Sequence, residues 1–140
     1  MTNESKFGLL EFLIEESSIS RKPNDKEIIA KIEIHPQGLI NSEKKLFQLS
    51  LLVNVIDKNE SFSARIKAVG LFRFENDVVE ATLDNYFYIN APAILFPYVR
   101  SYISALTALS GMPTFSIPVM NLSYLMEELK ANTKDTSEEN

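Results

Sequence analysis

Apolar residues recur with a period of two over residues 7–80 and at spacings of three and four after Pro92, so the chain reads as strands first and helices afterwards. Phe7, Leu9 and Leu13 share one side of a first strand, with Gly8, Leu10, Phe12 and Ile14 on the other, and the strand is expected to end near the serines at 17–20. A polar connection over residues 21–25 follows. Ala30, Ile32 and Ile34 then alternate with Lys31, Glu33 and His35, the pattern of a strand wet on one side, which Pro36 and Gly38 are expected to end or bend. In the third strand Phe47, Leu49, Leu51, Val53 and Val55 oppose Gln48, Ser50, Leu52, Asn54 and Ile56, and residues 57–60 predict a hairpin turn. The fourth sets Phe62, Ala64, Ile66, Ala68, Phe72 and Phe74 against Ser63, Arg65, Lys67 and Arg73, with Gly70 marking a bulge or a close backbone approach.

Helical signals begin at Asn90, a candidate N-cap, with Pro92 in the first turn, where a missing N–H costs nothing. Leu95, Val99, Tyr102, Leu106 and Leu109 form a seam fit for another helix or a partner subunit, Pro97 is expected to kink rather than forbid the helix, and Ser110 and Gly111 stop it. Asn121 is a candidate cap for a second amphipathic helix carrying Leu122, Leu125, Met126 and Leu129. These periods predict an α+β domain over residues 1–132: a four-stranded antiparallel sheet followed by two C-terminal helices, with residues 133–140 a polar, disordered tail.

Charge changes the picture in one place. Residues 85–126 carry a single charged side chain, Arg100, whereas 24% of the chain is charged. Prolines 92, 97, 113 and 118 with Gly111 divide that stretch, so it reads as core and interface rather than a stable membrane span. The net charge of −5 and the lack of a basic patch speak against nucleic acid as a partner. With no cysteine and one histidine, the chain offers neither a disulfide framework nor a metal cluster of the usual kind. The polar start of the sequence gives no signal-peptide pattern, and the expected location is the cytoplasm.

Catalytic constellations are absent from the pattern. The pairs Glu15, Glu16 and Glu127, Glu128 are sequence neighbours, whose side chains diverge on a strand or helix. His35 shares a strand face with Glu33 but lacks a neighbouring nucleophile, no serine sits in a G-x-S-x-G elbow, and the four glycines form no phosphate loop. Arg100 reads as a structural residue whose stem packs while its head finds a carboxylate or carbonyl. Tyr86, Phe87, Tyr88, Phe96, Tyr98, Tyr102 and Phe115, with Met112, Met120 and Met126, exceed what two helices readily bury, so core, subunit interface and binding groove all draw on them. The expectation is a non-enzyme needing no cofactor.

The segment from Pro92 through Ile94-Leu-Phe-Pro-Tyr-Val-Arg100 to Pro113, with Pro118-Val-Met-Asn-Leu122 after it, resembles the first helix and following loop of the SecB protein-export chaperone family. Gly70-Leu-Phe72 is similar to the end of that family's fourth strand, and the resemblance covers about residues 7–130. It implies an ATP-independent holdase, a homotetramer built as a dimer of dimers, that binds unfolded or precursor polypeptides in hydrophobic grooves and keeps them export-competent. The groove residues it implies are Phe72, Phe74, Tyr86, Tyr88, Met112, Phe115, Leu122, Leu125 and Met126. Subunit contacts would come from Leu95, Val99, Tyr102, Leu106 and Leu109 and from the fourth strand.

One departure concerns the face with which such chaperones present acidic residues to the SecA motor ATPase. The corresponding positions here hold Arg21 and Arg65, joined by Lys67 and Arg73, and charge reversal disfavours docking there. Two alternatives therefore stand beside general export: a SecB-like chaperone dedicated to one client, such as the antitoxin of a toxin-antitoxin system, and a small-ligand binder using a pocket between helix and sheet.

Overall fold

The computed structural model describes residues 7–23, 27–75 and 88–136. Four long antiparallel strands come first: β1 (Phe7–Arg21), β2 (Ala30–Asn41), β3 (Leu46–Asp57) and β4 (Phe62–Phe74). Helix α1 (Ala91–Leu109) follows, then a single 3-10 turn (Ser123–Leu125) leading into the short α2 (Met126–Ala131), and a last strand, β5 (Thr133–Asp135). The sheet order is β1-β4-β3-β2-β5.

The sheet thus has five strands, not the four expected from sequence. β5 comes from residues assigned to the polar tail, and three residues of Thr-Lys-Asp carry no strand signal of their own. Neighbours supply it: β5 pairs in parallel with β2, Gly38 opposite Thr133, and Asn132 brackets the join. The Gly38 amide donates to the Asn132 carbonyl at 3.2 Å, and Asn132 Nδ2 donates to the Pro36 carbonyl at 3.4 Å.

These bonds also explain why β2 runs unbroken through Pro36, where an end or bend was expected. The Pro36 carbonyl faces the outer edge, so the N–H that proline lacks would point outward too, and the ladder to β3 loses nothing.

β3 and β4 follow their patterns closely. Phe47, Leu49, Leu51, Val53 and Val55 are fully buried, as are Ile66, Ala68 and Phe72 of β4. Gly70 proves to be the close approach: a Cβ there would lie 3.1 Å from Leu95 Cδ1 of α1. The bulges fall instead in β1. Its register against β4 slips between Leu9 and Glu11 and between Ile14 and Glu16, so Leu10 and Glu15 are extra residues. Strict alternation therefore fails there. Phe12 and Ile14 face the helices, opposite Gly70 and Ala68, while Leu13, expected beside Leu9, turns to the other face opposite Val69.

α1 lies across β1, β4 and β3 with a buried stripe of Ala91, Pro92, Leu95, Phe96, Val99, Ile103 and Thr107. Asn90 sits in the helical region with no side-chain cap bond, so the cap expected of it is not made. Pro92 lies in the first turn as expected, the helix continues through Pro97, and Gly111 (φ +88°) follows the Ser110 stop. Asn121 is not the helix cap expected of it either: the 3-10 turn starts from Leu122 and α2 from Leu125, neither with a side-chain cap bond, and Asn121 Oδ1 accepts from the Ser123 amide at 3.0 Å ahead of both.

Candidate functional site

On the helix side of the sheet, the residues between α1 and the 3-10 turn run back along α1 and are pinned to it by three side chains. Arg100 Nε donates to the Ile117 carbonyl at 3.0 Å, which is the carbonyl contact its sequence setting called for. Ser104 Oγ donates to the Phe115 carbonyl at 3.3 Å, and the buried Thr107 Oγ1 accepts from the Phe115 amide at 2.9 Å while donating to the Ile103 carbonyl. Ile117 is thereby buried, and the Phe115 ring meets that of Phe62 at 5.3 Å between centroids.

Polar pinning of the backbone leaves apolar side chains at the surface. Leu109 (87% exposed), Val119 (82%) and Tyr124 (59%) stand in solvent, and Met112, Phe115, Met120 and Met126 are partly covered against the core. A second apolar cluster lies at the β1 edge, where the rings of Phe12 (41% exposed) and Tyr98 (43%) meet at a 31° tilt with centroids 4.6 Å apart and Tyr102 shares a 2.6 Å hydrogen bond with Ser17. Phe12 and Tyr98 were missed as a pair because the β1 bulges, invisible in the periodicity, bring them together.

The sequence-derived groove residues separate into groups. Phe72, Leu125, Leu122 and Tyr88 are buried among core residues, so they support the surface from below. Phe74, Met112, Phe115 and Met126 are partly exposed, with Lys45 Nζ 5.9 Å over the Phe74 ring. Tyr86 lies outside the described residues. Of the helical seam, Leu95 and Val99 are fully buried against the sheet, Tyr102 and Leu106 are half-buried, and Leu109 is exposed. The seam is largely sheet-facing, with Ile103 and Thr107 completing it. β4 is flanked by β1 on one edge and β3 on the other, so among the described residues the lateral edges belong to β1 on one side and to β5 with the uncovered part of β2 on the other.

The other face of the sheet carries the charge. Arg65, Lys67 and Arg73 lie there, but Arg21 does not: it pairs with Phe62 and so points to the helix side. Carboxylates interleave with the three cations. Lys67 Nζ is 3.3 Å from Glu15 and Lys31 Nζ is 3.3 Å from Glu33. His35 stands between Glu33 at 3.9 Å and Glu128 at 3.8 Å. Shallow depressions open on this face, one of about 280 Å³ lined by Glu16, His35, Gln37, Ser50, Leu52, Arg65 and Lys67. At the β3–β4 turn the Asp57 carboxyl is held down to about 2, mainly by the Ser61 hydroxyl it accepts from, with the Ile29 and Ser61 amides adding to the effect against burial. Partial desolvation of this mostly exposed side chain, and secondarily the Glu128 charge, push the Tyr124 phenol up.

Among the described residues no three His, Cys, Asp or Glu side chains are grouped to hold a metal ion, and no helix is long and apolar enough to cross a membrane. What the site presents is partly exposed apolar surface backed by a sheet and edged with methionine and aromatic side chains.

The family model of the preprotein translocase subunit SecB matches residues 9–133, and the chain belongs to that family. The chain is 30% identical over 111 residues to the protein-export protein SecB of Anaplasma phagocytophilum, covering 76% of this chain and 70% of that one. It is 28% identical over 113 residues to the SecB of Ehrlichia canis, covering 73% of this chain and 64% of the other. Among solved structures, the SecB-like chaperone of Mycobacterium tuberculosis, in complex with a ChAD peptide from the HigA1 antitoxin, superposes with a TM-score of 0.68 at 15% identity. That superposition covers 82% of this chain and 91% of the other, and shows the shared fold.

Proposed function

We propose that this protein is an ATP-independent holdase that binds unfolded or precursor polypeptides along the apolar surface beside α1 and keeps them competent for export. The observation that carries this reading is membership of the SecB family across residues 9–133. The exposed Leu109, Val119 and Tyr124 and the half-covered Met112, Phe115, Met120 and Met126 support it physically, because burying such surface on an extended client is favoured by about 25 cal/mol per Å². Holding a chain this way needs no cofactor and no bond chemistry.

Assembly as a dimer of dimers belongs to the same proposal. Every exposed position of α1, namely Ala93, Pro97, Tyr98, Ser101, Ala105, Ala108 and Leu109, is uncharged. A helix face meant for water usually carries Lys or Glu, so this face favours burial against another subunit. The free β1 edge with Phe12 and Leu13 offers a second contact.

A narrower reading is also favoured by particular observations. Arg65, Lys67 and Arg73 occupy the face expected to be acidic for the SecA motor, and the similar SecB-like chaperone was solved with an antitoxin peptide. Both support a dedicated client, an antitoxin among the candidates.

Light scattering and an aggregation assay test these readings together. A mass near four times 15.9 kDa, with capture of several unrelated reduced precursors, is the result expected of a general holdase. Capture of one native client alone would favour the dedicated reading, and a protein that slows no aggregation would overturn both.

A further inference from the structure

β5 is held to β2 by polar bonds rather than by packing. Lys134 is exposed, Thr133 and Asp135 are half-buried, and lysine and aspartate are poor strand formers. The Gly38 amide donates to the Asn132 carbonyl, Thr133 Oγ1 donates to the Leu129 carbonyl at 2.6 Å, Thr136 Oγ1 donates to the Ile40 carbonyl at 3.2 Å, and Ser42 Oγ donates to Asp135 Oδ2. A shallow depression of about 310 Å³ opens beside the join, between Gln37, Leu39 and Ser50 on one side and Ala131 and Lys134 on the other.

The edge beneath β5 offers more than β5 uses. Gly38 lies against the Phe47 ring and lacks a side chain, which lets another backbone approach closely, and Ile40 and Leu39 flank it with apolar surface that is only partly covered. The same edge runs back through Pro36 to Ile34 and Ile32, where no strand covers it. Backbone pairing of this kind can be supplied by any extended chain, and a strand with aliphatic or aromatic side chains would bury apolar area there that Thr133, Lys134 and Asp135 do not. Asn132 stands in its way, because its side chain and carbonyl already occupy Pro36 and Gly38.

We propose that β5 is an autoinhibitory strap: it fills the β2 edge at Gly38–Ile40 in place of a client strand, and must leave before an extended apolar segment of a client can pair along the whole edge. The inference rests on the holdase reading above. A strap with these properties suits a protein whose free sheet edge would otherwise invite pairing between copies, since it satisfies the edge with weak, parallel, polar contacts and yields it to a better partner. It is joined to the apolar surface by a single short helix, because α2 (Met126–Ala131) leads from Tyr124 and Met126 directly into Asn132 and β5.

The chain has no cysteine, so Leu39→Cys combined with Lys134→Cys, at Cα partners on the exposed side of the join, can lock the strap by oxidation and free it by reduction. The probe is a fluorescein-labelled peptide of alternating valine, phenylalanine and threonine with lysines at both ends, beside the same peptide N-methylated at successive central residues, which keeps the side chains but leaves neither edge able to pair. The oxidised chain is expected to bind the unmodified peptide about tenfold or more weakly than the same chain reduced, because the competent state has been removed, whereas the methylated peptide should not distinguish the two forms. Asp135→Ala, which removes the Ser42 bond and leaves β2 unaltered, should tighten binding of the unmodified peptide about threefold. In the unaltered chain, bound peptide should speed hydrogen exchange over residues 133–136 while Gly38 and Ile40 stay protected. The last two measurements carry the test without a disulfide. Equal affinity of the oxidised and reduced chains, or peptide binding that leaves exchange over residues 133–136 unchanged, would overturn the strap while sparing the holdase. No binding of either peptide by any form of the chain would overturn the holdase reading and the strap with it.

Discussion

Asp57 shows how one side chain sets a turn. Its Oδ1 accepts from the Ile29 amide at 2.8 Å, and its Oδ2 accepts from the Ser61 amide and hydroxyl, so a single carboxylate joins the end of β3 to the residue before β2 and to the start of β4. All three donors favour the ionised form. With the folded value near 2 against a usual 3.8, protonation is harder in the folded chain than in the unfolded one. The stability this group contributes is therefore fully present above about pH 4 and is lost as pH falls toward 2. Asp57→Asn should lower the thermal midpoint at neutral pH and flatten its dependence between pH 4 and 2. A variant whose acid profile parallels that of the unaltered chain would show that the carboxylate is not the titrating group. Gly38 matters by what it lacks: a Cβ would stand 2.5 Å from Thr133 Oγ1 and 2.8 Å from Phe47 Cε1.

Elements in this fold are held by polar pins at their ends and by apolar faces along their length. The backbone between α1 and α2 has no strand or helix over residues 112–122 to satisfy its amides, so α1 supplies the partners. Thr107 is the central pin. Thr107→Val keeps the volume but strands the Phe115 N–H, and should cost about 1–3 kcal/mol of stability by urea titration. Faster hydrogen exchange over residues 112–118 is expected alongside it. Full retention of both stability and protection would mean that Ser104 and Arg100 hold the segment without it. At the other margin, β5 depends on Gly38: Gly38→Val should dislodge β5 from β2, read as increased exchange over residues 132–136. Unchanged protection there would show that the strand tolerates a side chain at the join.

At the scale of the whole molecule, one sheet face is committed to the core and the opposite one mixes Arg65, Lys67 and Arg73 with Glu11, Glu15, Glu16 and Glu33. Assembly through the uncharged face of α1 and the β1 edge makes a specific expectation. Phe12→Asp combined with Tyr98→Asp places two carboxylates where the exposed rings meet, and should reduce the mass toward dimer or monomer while the far-ultraviolet circular dichroism stays intact. A double variant that keeps a tetrameric mass would place the subunit contacts elsewhere. The buried seam residues Leu95 and Val99 are unsuitable for this test, because changing them breaks the core whatever the assembly does.

Periodicity determined β3 and β4 from sequence alone, since each is paired on both edges and buried on one face, which leaves alternation undisturbed over their whole length. The order of the four long strands before the helices and the stop of α1 at Ser110 and Gly111 were likewise legible, and the family was legible through a resemblance carried by a local heptapeptide. Tertiary structure decided the rest, because each remaining feature depends on a partner distant along the chain. Two bulges in β1 reset which residues face the helices, moving Leu13 out and bringing Phe12 to Tyr98. A three-residue strand exists only because β2 and Asn132 complete it. Arg21, grouped by sequence with a basic surface, ends on the opposite side of the sheet against Phe62, since the register of β1 on β4, and not local composition, sets the direction of its side chain.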